Sequence, residues 1–318
     1  MDLRIGDKIY GKDENEELEI VRFVANGNFG LVYEVKNKDG KSYALKTIST
    51  ASLDNSGLKT LLNEGRLASG IRHENVITIH YFHDGKKYPH LPPYMIAEFA
   101  DGGTLEALLT ERRRQNLFFS NDDLRNLYTQ LCLGIKAINE VLVHRDIKPD
   151  NILFSKNILK IGDFGLSKVV SEATRNYTFK GINHILYCAP EAWRTEANTP
   201  AMDMYSMGIV FYEIATLNRP YHIEDRGDIV DAWKNAHLMQ LPIDPKSFNP
   251  ALPIEVVQAI LKMLSKRPEE RYNSWDDIIS RLHFHDQLSN SNPRINQLVE
   301  KALDSHRKAE EARLLYSG

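Results

Sequence analysis

The stretch from Val143 to Phe154 reads VHRDIKPDNILF, and it is the most informative part of the sequence. Asp146 follows a His-Arg pair, Lys148 lies two residues after it, and Asn151 lies five residues after it. A carboxylate, an ammonium group and an amide at these short intervals have little reason to occur in a simple connecting loop. The stretch therefore predicts a loop that carries chemistry.

Two further motifs follow in order. Asp163-Phe164-Gly165 comes directly after the apolar, strand-like run ILKIG, and Ala189-Pro190-Glu191 lies further along the chain. With these motifs the chain resembles the eukaryotic-type protein kinases over residues 18 to 285. The Ile-Lys-Pro that follows Asp146 is typical of the serine/threonine branch, whereas tyrosine kinases typically carry Ala-Ala-Arg or Arg-Ala-Ala there.

The resemblance implies a role for each of these side chains in moving a phosphoryl group from ATP. Asp146 would accept the hydrogen bond of the attacking hydroxyl, and Lys148 would lie beside the moving group. Asn151 and Asp163 would hold Mg²⁺, which bridges to the ATP phosphates. The cofactors implied are therefore ATP and Mg²⁺.

Residues 43 to 46, YALK, stand where the family has a strand with a phosphate-binding lysine. The resemblance makes Lys46 the residue that holds the α- and β-phosphates, and it makes Glu64 on the next helix the ion-pair partner of Lys46. A solvated helix carboxylate is the alternative role for Glu64. Gly65 costs about 1 kcal/mol of helix propensity relative to Ala, so we expect this helix to be mobile.

Residues 23 to 34, FVANGNFGLVYE, admit two interpretations. Asn26-Gly27 between apolar runs is a strong signal for a β-hairpin turn. The stretch also fits the family's glycine-rich nucleotide loop, with Gly27, Gly30 and Val32 in place and Ala25 where the first glycine is expected. We expect both to hold, with a turn at Asn26-Gly27 and backbone amides facing the phosphates. Ala25 should weaken ATP binding without abolishing it.

The strand YMIAEFADGG is expected to border the adenine of ATP. Counting along it puts Ala97 at the rear of the adenine pocket, where the family mostly carries a larger side chain, so we expect an unusually open pocket. Backbone groups of Glu98 and Ala100 would face the adenine. Five residues make up the expected adenine pocket: Ala44, Ala97, Glu98, Ala100 and Leu153.

The segment before Ala189-Pro190-Glu191 departs from the family pattern. It reads FKGINHILYCAPE, where the family has a threonine bonded to the catalytic aspartate and lysine. Counting back from Tyr187 puts His184 in that place, whereas keeping Gly181 as the family's glycine puts Ile182 there. The threonine is missing either way, which leaves substrate preference or the ordering of this loop open.

Arg145, directly before Asp146, is typical of kinases that are controlled by phosphorylation of the activation loop. We hypothesise that autophosphorylation, at Thr174 or Thr178 in the first place, raises activity. The available acceptors are Ser167, Ser171, Thr174, Tyr177 and Thr178.

Three further residues serve the fold in the family. Glu191 is expected to form a buried ion pair with Arg271 in the run RPEER, and Asp203 is expected to anchor the backbone of the catalytic loop. Small-molecule kinases that resemble protein kinases generally lack this region. These residues therefore favour a protein kinase over a metabolite kinase.

Composition excludes several other classes. The chain has 318 residues and a formal net charge of −3, which gives no reason to expect nucleic acid or an anionic membrane as a partner. Cys132 and Cys188 lie outside any metal-ligand spacing and indicate structural thiols in a reducing compartment. The first residues are too charged for a signal peptide and no apolar run reaches membrane-spanning length, so we expect a soluble, cytoplasmic protein.

The pattern along the chain predicts an α+β, two-lobed protein-kinase fold. Alternating apolar residues from 18 to 50 indicate an antiparallel β-meander, and a helical pattern dominates beyond the break at Asp101-Gly102-Gly103. We expect a lead-in over 1–17, a small β-rich N-lobe with one helix over 18–99, a larger helical C-lobe over 100–285, a linker over 286–293 and an amphipathic helix over 294–318. That last helix could pack on its own lobe, form a homodimer or bind another protein.

The expected function is transfer of the ATP γ-phosphate to serine or threonine hydroxyls of proteins, with autophosphorylation of the activation loop. The alternative is a pseudokinase scaffold that binds nucleotide and partners without efficient transfer.

Overall fold

The computed structural model describes residues 3–12, 16–27, 30–48, 55–88, 91–163, 182–223 and 228–282. The linker and the amphipathic helix expected over 286–318 lie outside these residues. Within them, none of the helices has the length and apolarity that crossing a bilayer requires.

An antiparallel sheet of six strands forms the N-lobe, in the order β1-β2-β3-β4-β6-β5. The alternation of apolar residues places one face on a core that includes Ile20, Val35, Leu45 and Ile96. The predicted β-meander is confirmed. The strands are β1 (Lys8–Tyr10), β2 (Glu17–Gly27), β3 (Gly30–Lys36), β4 (Ser42–Thr47), β5 (Ile79–His83) and β6 (Tyr94–Glu98).

Two details of this sheet differ from the sequence prediction. Strand β1 lies in the expected lead-in, yet it pairs with β2 and buries Ile9 completely in the N-lobe core. The predicted turn at Asn26-Gly27 is wrong, because Asn26 pairs with Leu31 and Gly27 pairs with Gly30 inside the β2–β3 ladder. Strand β1 was not predicted because three residues are too few to show an alternating pattern. At Asn26-Gly27, continued pairing of β2 with β3 outweighs the local turn preference of Asn-Gly.

Helix α1 (Asn55–Ala68) is the one helix described between the strands of the N-lobe, and it packs on β5. The C-lobe consists largely of helices, in agreement with the helical pattern predicted beyond Asp101-Gly102-Gly103. They are α2 (Leu105–Gln115), α3 (Asn121–Asn139), α4 (Ile182–Ile185), α5 (Pro190–Trp193), α6 (Pro200–Thr216), α7 (Ile229–Met239), α8 (Ile254–Met263) and α9 (Trp275–Arg281).

Helix α6 is the centre of the C-lobe. Every residue from Met202 to Thr216 is buried, which is the pattern of a helix surrounded by protein on all sides. Helix α3 packs against α6 and begins with a capping box, in which Ser120 and Asp123 satisfy each other's backbone N–H groups. A serine followed three residues later by an acid is itself a signal for a helix start in the sequence.

A small hairpin connects the two lobes and carries part of the site. Its strands are β7 (Ile152–Ser155) and β8 (Ile158–Ile161). The backbone N–H of Gly102 donates to the carbonyl of Phe154 (2.8 Å), and the N–H of Phe154 donates to the carbonyl of Gly103 (2.9 Å). A Cβ atom on Gly102 would lie 2.5 Å from the Phe154 Cβ, so only glycine permits this approach.

Candidate active site

Helix α6 anchors the loop that carries Asp146. Asp203, completely buried on that helix, accepts the backbone N–H of His144 and that of Arg145, both at 2.7 Å. Asn139 at the end of α3 donates to the same carboxylate, also at 2.7 Å. Two backbone hydrogen bonds to one buried side chain therefore fix this loop on helix α6, which is buried on all sides.

The carboxylate of Asp146 is 5% exposed and has partners on both oxygens. Oδ2 accepts a hydrogen bond from Asn151 Nδ2 at 2.8 Å and lies 3.4 Å from Lys148 Nζ. Oδ1 lies 2.9 Å from His184 Nδ1. The loop therefore brings Asp146, Lys148 and Asn151 into one cluster, and His184 joins them from another segment.

The charge on Asp146 is stabilised by this cluster. Burial favours the neutral acid, but the hydrogen bond from His184 and the electrostatic interactions with His184, Lys148 and His144 outweigh it and hold the pKa of the Asp146 carboxyl below its ordinary value. Asp146 is therefore an anion at physiological pH, as a hydrogen-bond acceptor for a hydroxyl must be.

The ends of the β7–β8 hairpin bring together the two residues expected to hold Mg²⁺. Asn151 lies directly before β7 and Asp163 two residues after β8, and the N–H of Gly162 donates to the carbonyl of Asn151 at 2.8 Å. The Asn151 amide nitrogen donates to the carbonyl and the carboxylate of Asp146, so its oxygen is the atom that could bind a cation. The Asp163 side chain is 41% exposed.

This pair of oxygen ligands fits Mg²⁺ with a phosphate-bearing ligand. Magnesium is usually held by one or two protein oxygen ligands together with substrate phosphates and water. Within the described residues there is no group of three or more His, Cys, Asp or Glu side chains that could hold a metal ion by itself. The donor set is therefore one that completes its coordination with phosphate oxygens.

Lys46 and Glu64 have partners that differ from the expected ones. Lys46, 7% exposed on β4, lies 2.7 Å from Asp163 Oδ1, and Glu64 on α1 lies 2.5 Å from the guanidinium of Arg145. The expected Lys46–Glu64 pair is thus replaced by two pairs that link the lobes. Which carboxylate pairs with Lys46 and which with Arg145 depends on how the two lobes come together. The sequence pattern does not specify it.

Comparison with protein families matches a protein kinase domain over residues 18–284. The chain belongs to the protein kinase family. This kinase is 28% identical over 254 residues to the probable serine/threonine-protein kinase nek2 of Dictyostelium discoideum, covering 73% of this chain and 60% of that protein.

Two other relatives show the same range of similarity. The identity is 27% over 296 residues to the putative ribosomal protein S6 kinase alpha-1 of Caenorhabditis elegans, covering 89% of this chain and 35% of that protein. It is 28% over 254 residues to the serine/threonine-protein kinase Nek4 of Mus musculus, covering 79% and 30%. The kinase thus spans less than two thirds of the length of these relatives.

The residues of the expected adenine pocket lie on β4, on β6 and just after it, and on β7. Ala97 on β6 pairs with Ala44 on β4, so two methyl groups stand side by side. The backbone N–H of Glu98 donates to the carbonyl of Thr78 at 2.8 Å, so this N–H is not available to adenine. The Glu98 side chain accepts a hydrogen bond from Ser155 at 2.9 Å and lies 3.1 Å from Lys160, which ties this strand to the hairpin.

Strands β2 and β3 flank the glycine loop and pair with each other as far as Gly27 and Gly30. A Cβ atom on Gly30 would lie 1.8 Å from the carbonyl oxygen of Thr47, so this position admits only glycine. The N–H of Leu31 donates to the Thr47 hydroxyl at 2.9 Å, which holds the start of β3 against β4. Ala25 pairs with Val32 across the loop.

The C-lobe contains the ion pair expected of the family. Arg271 donates to both carboxylate oxygens of Glu191, at 2.6 and 2.8 Å, and both residues are almost completely buried. The remaining donors of Arg271 reach the carbonyls of Ala201 and Ser265. A charge-assisted pair with this many satisfied donors joins α5 to the start of α6 and to the segment before α9.

Of the two candidates for the place of the family's threonine, His184 and Ile182, the structure brings His184 to Asp146.

Glu213 was not among the predicted site residues. It is a buried carboxylate on α6 that accepts from the Tyr187 hydroxyl at 2.8 Å and lies 3.3 Å from Arg219. An acidic residue inside an otherwise apolar helix was the available signal. Residues 164–181, with Ser167, Ser171, Thr174, Tyr177 and Thr178, lie outside the described residues.

Burial accounts for both cysteines. Cys132 is completely buried in the C-lobe core, and burial raises the pKa of its thiol. Burial and the charges of Glu191 and Asp146 raise the pKa of Cys188 to about 12. Both thiols are therefore neutral at physiological pH and poor nucleophiles, in agreement with the structural role expected for them.

Proposed function

We propose that this chain transfers the γ-phosphoryl group of ATP to serine or threonine hydroxyls of proteins, with Mg²⁺ as the metal. The observation that carries the proposal is the carboxylate of Asp146. It is ionised, held by Asn151 and Lys148, and mounted on a loop that buried Asp203 anchors within a matched protein kinase domain.

The chemistry required of the protein is positioning and charge neutralisation. The acceptor hydroxyl donates a hydrogen bond to Asp146 as its oxygen attacks the γ-phosphorus, and the bond from that phosphorus to the β,γ-bridging oxygen breaks. Asp146 takes the hydroxyl proton. Lys148, on the same loop, neutralises charge on the moving group. Asn151 and Asp163 would hold Mg²⁺, which would supply further charge neutralisation on the phosphates.

Nucleotide binding requires an exchange of the ion pairs that the structure shows. Lys46 is paired with Asp163 in the structure. In the proposed reaction Lys46 would instead contact the α- and β-phosphates of ATP, and Asp163 would bind the metal. Arg145 is paired with Glu64, although regulation by loop phosphorylation needs Arg145 on a phosphate. We propose that ATP, Mg²⁺ and a phosphorylated loop residue, Thr174 or Thr178, drive these exchanges.

The serine/threonine preference and the regulation form the finer part of the proposal. The preference for serine and threonine is supported by the Ile-Lys-Pro run after Asp146 and by the similarity to relatives named serine/threonine-protein kinases. Regulation is supported by Arg145. Mass spectrometry after incubation with Mg-ATP tests it: phosphorylation of the 164–181 segment that precedes a rise in activity is expected, and a fully active kinase with an unmodified loop contradicts it.

A cytoplasmic location, protein substrates and a partner or homodimer contact through residues 294–318 complete the proposal. Two neutral, partly or fully buried thiols support a reducing compartment. Cell fractionation tests the location, and size determination of the chain with and without 294–318 tests the assembly.

The pseudokinase alternative makes a different prediction for one assay. The full chain is incubated with radiolabelled ATP and a generic basic protein, next to Asp146→Asn. Label transferred by the wild type and lost in the variant supports the kinase. Equal label, or none from either protein, favours the scaffold.

A further inference from the structure

His184 contacts the catalytic acceptor from outside the catalytic loop. Its Nδ1 atom lies 2.9 Å from Asp146 Oδ1, and its side chain is 42% exposed. Because an ionised carboxylate only accepts hydrogen bonds, Nδ1 must carry a proton, either in a neutral imidazole or in an imidazolium.

The chain after His184 is fixed to the centre of the C-lobe. Leu186 and Tyr187 are each 5% exposed, the Tyr187 hydroxyl donates to Glu213, and its carbonyl accepts from Ser206 at 2.7 Å. Both partners of Tyr187 lie on α6, the helix that also carries the anchor of the catalytic loop. His184 and Asp146 are therefore positioned by the same rigid element, although the imidazole itself can reach solvent.

The acceptor positions of Asp146 are almost all in use. An ionised carboxylate offers about four lone pairs, two on each oxygen. Asn151 and Lys148 lie on Oδ2, and His184 takes one position on Oδ1. One position on Oδ1 is left for a substrate hydroxyl, and the direction of that lone pair depends on where His184 donates.

We propose that His184 is a positioning residue for Asp146, and that protonation of its imidazole slows phosphoryl transfer; this rests on the kinase function proposed above. A neutral imidazole orients the carboxylate without adding charge. An imidazolium forms an ion pair at the same distance and makes the carboxylate a weaker acceptor for the hydroxyl. Histidine is the side chain whose charge most readily changes between pH 5 and 8, so the effect can be sought in a range where kinases are readily assayed.

Other groups in the described residues interact electrostatically with this contact. Their contribution to the pH dependence of the reaction must be separated from that of His184. Burial raises the pKa of Asp150, a neighbour of both Asp146 and Lys148, so Asp150 is the main competing source of pH dependence. The thiol of Cys188 is neutral throughout the relevant range. The charged or titratable groups that interact with Asp146 or its neighbours are His144, Lys148, Asp150, Cys188 and Glu191.

Three full-length proteins test the proposal: wild type, His184→Asn and His184→Ala. Asparagine places an N–H donor at the position of Nδ1 but does not titrate, whereas alanine donates nothing. Steady-state kcat and KM are measured for a serine peptide between about pH 5.5 and 9. His222→Asn, at an exposed histidine outside the site, is the matched control.

The kcat of the wild type is expected to fall as the pH is lowered through the acidic part of this range, with little change in KM for ATP. His184→Asn should keep kcat within a few-fold at pH 8 and lose the acid limb, while His222→Asn should follow the wild type. His184→Ala should lower kcat about tenfold at pH 8, the scale of one hydrogen bond to a charged group.

Two outcomes overturn the proposal while leaving the kinase function intact. An acid limb in His184→Asn that matches the wild type assigns the limb to Asp150 or another group. Full activity of His184→Ala at pH 8 shows that Asp146 needs no such contact. A wild type that transfers nothing at any pH overturns both the kinase function and this inference.

Discussion

At the scale of single residues, Ala97 is the residue proposed to lie at the back of the nucleotide site. It stands beside Ala44 on the neighbouring strand and next to Ile79 on the other side, so small side chains occupy two of these three positions. With adenine in the proposed place, alanine at position 97 would leave more space behind it than a large side chain.

ATP analogues with a bulky N6 substituent should therefore act as phosphate donors for the wild type. Ala97→Phe should raise the KM for the analogue about tenfold or more, because inserted atoms in a packed site cost about 1 to 3 kcal/mol. KM for ATP itself should change much less. Ala97→Gly is the control and should leave both values similar; an analogue that neither binds nor reacts with the wild type contradicts the proposed placement of adenine.

Single residues also show where the sequence was sufficient. The capping box at Ser120 and Asp123, the helices of the C-lobe and the cluster of Asp146, Lys148 and Asn151 all follow from signals that are local in sequence. The partners of Lys46 and Glu64 were not predictable, because an ion pair between distant residues depends on how the elements come together. The same reason hid His184, which reaches Asp146 from 38 residues further along the chain.

At the scale of elements, the contact between α1 and β5 explains a glycine that the sequence made puzzling. A Cβ atom on Gly65 would lie 2.5 Å from a ring carbon of Phe82, which itself packs on the larger core. Gly65 thus permits the close approach of helix to sheet. The mobility expected of α1 from helix propensity stays a prediction.

A double-mutant cycle tests this packing role. Gly65→Ala in the wild type should lower the free energy of unfolding or leave it unchanged, because a clash of about 1 to 3 kcal/mol opposes a gain of about 1 kcal/mol in helix propensity. In a Phe82→Ala background the same change should stabilise by up to about 1 kcal/mol. Urea unfolding measures both, and an equal effect of Gly65→Ala in the two backgrounds refutes the role assigned to Phe82.

At the scale of the whole molecule, the C-lobe is joined across distant parts of the chain by Glu191 and Arg271. Their bidentate contact connects residues 80 positions apart, and both side chains are shielded from water. Removing one partner leaves the other charge buried without compensation, which costs much more than the pair itself contributes.

Arg271→Met should therefore destabilise the chain by about 3 to 5 kcal/mol. Arg271→Lys should recover only part of this, because an ammonium group cannot reproduce the two parallel hydrogen bonds. Arg267→Met, which removes a fully exposed arginine four residues earlier, is the matched control and should change stability little. Urea midpoints measure all three; an Arg271→Met protein as stable as the control would contradict the buried-pair account.

The whole account depends on transfer to serine or threonine, and a peptide-library phosphorylation profile measures it most directly. Peptides that differ only in carrying serine, threonine or tyrosine as the acceptor are incubated with Mg-ATP and the wild type or Asp146→Asn. The account predicts phosphoserine and phosphothreonine but not phosphotyrosine, with the signal reduced about 100-fold or more in Asp146→Asn. Phosphotyrosine as the main product, or a wild-type signal no greater than that of Asp146→Asn, would contradict it.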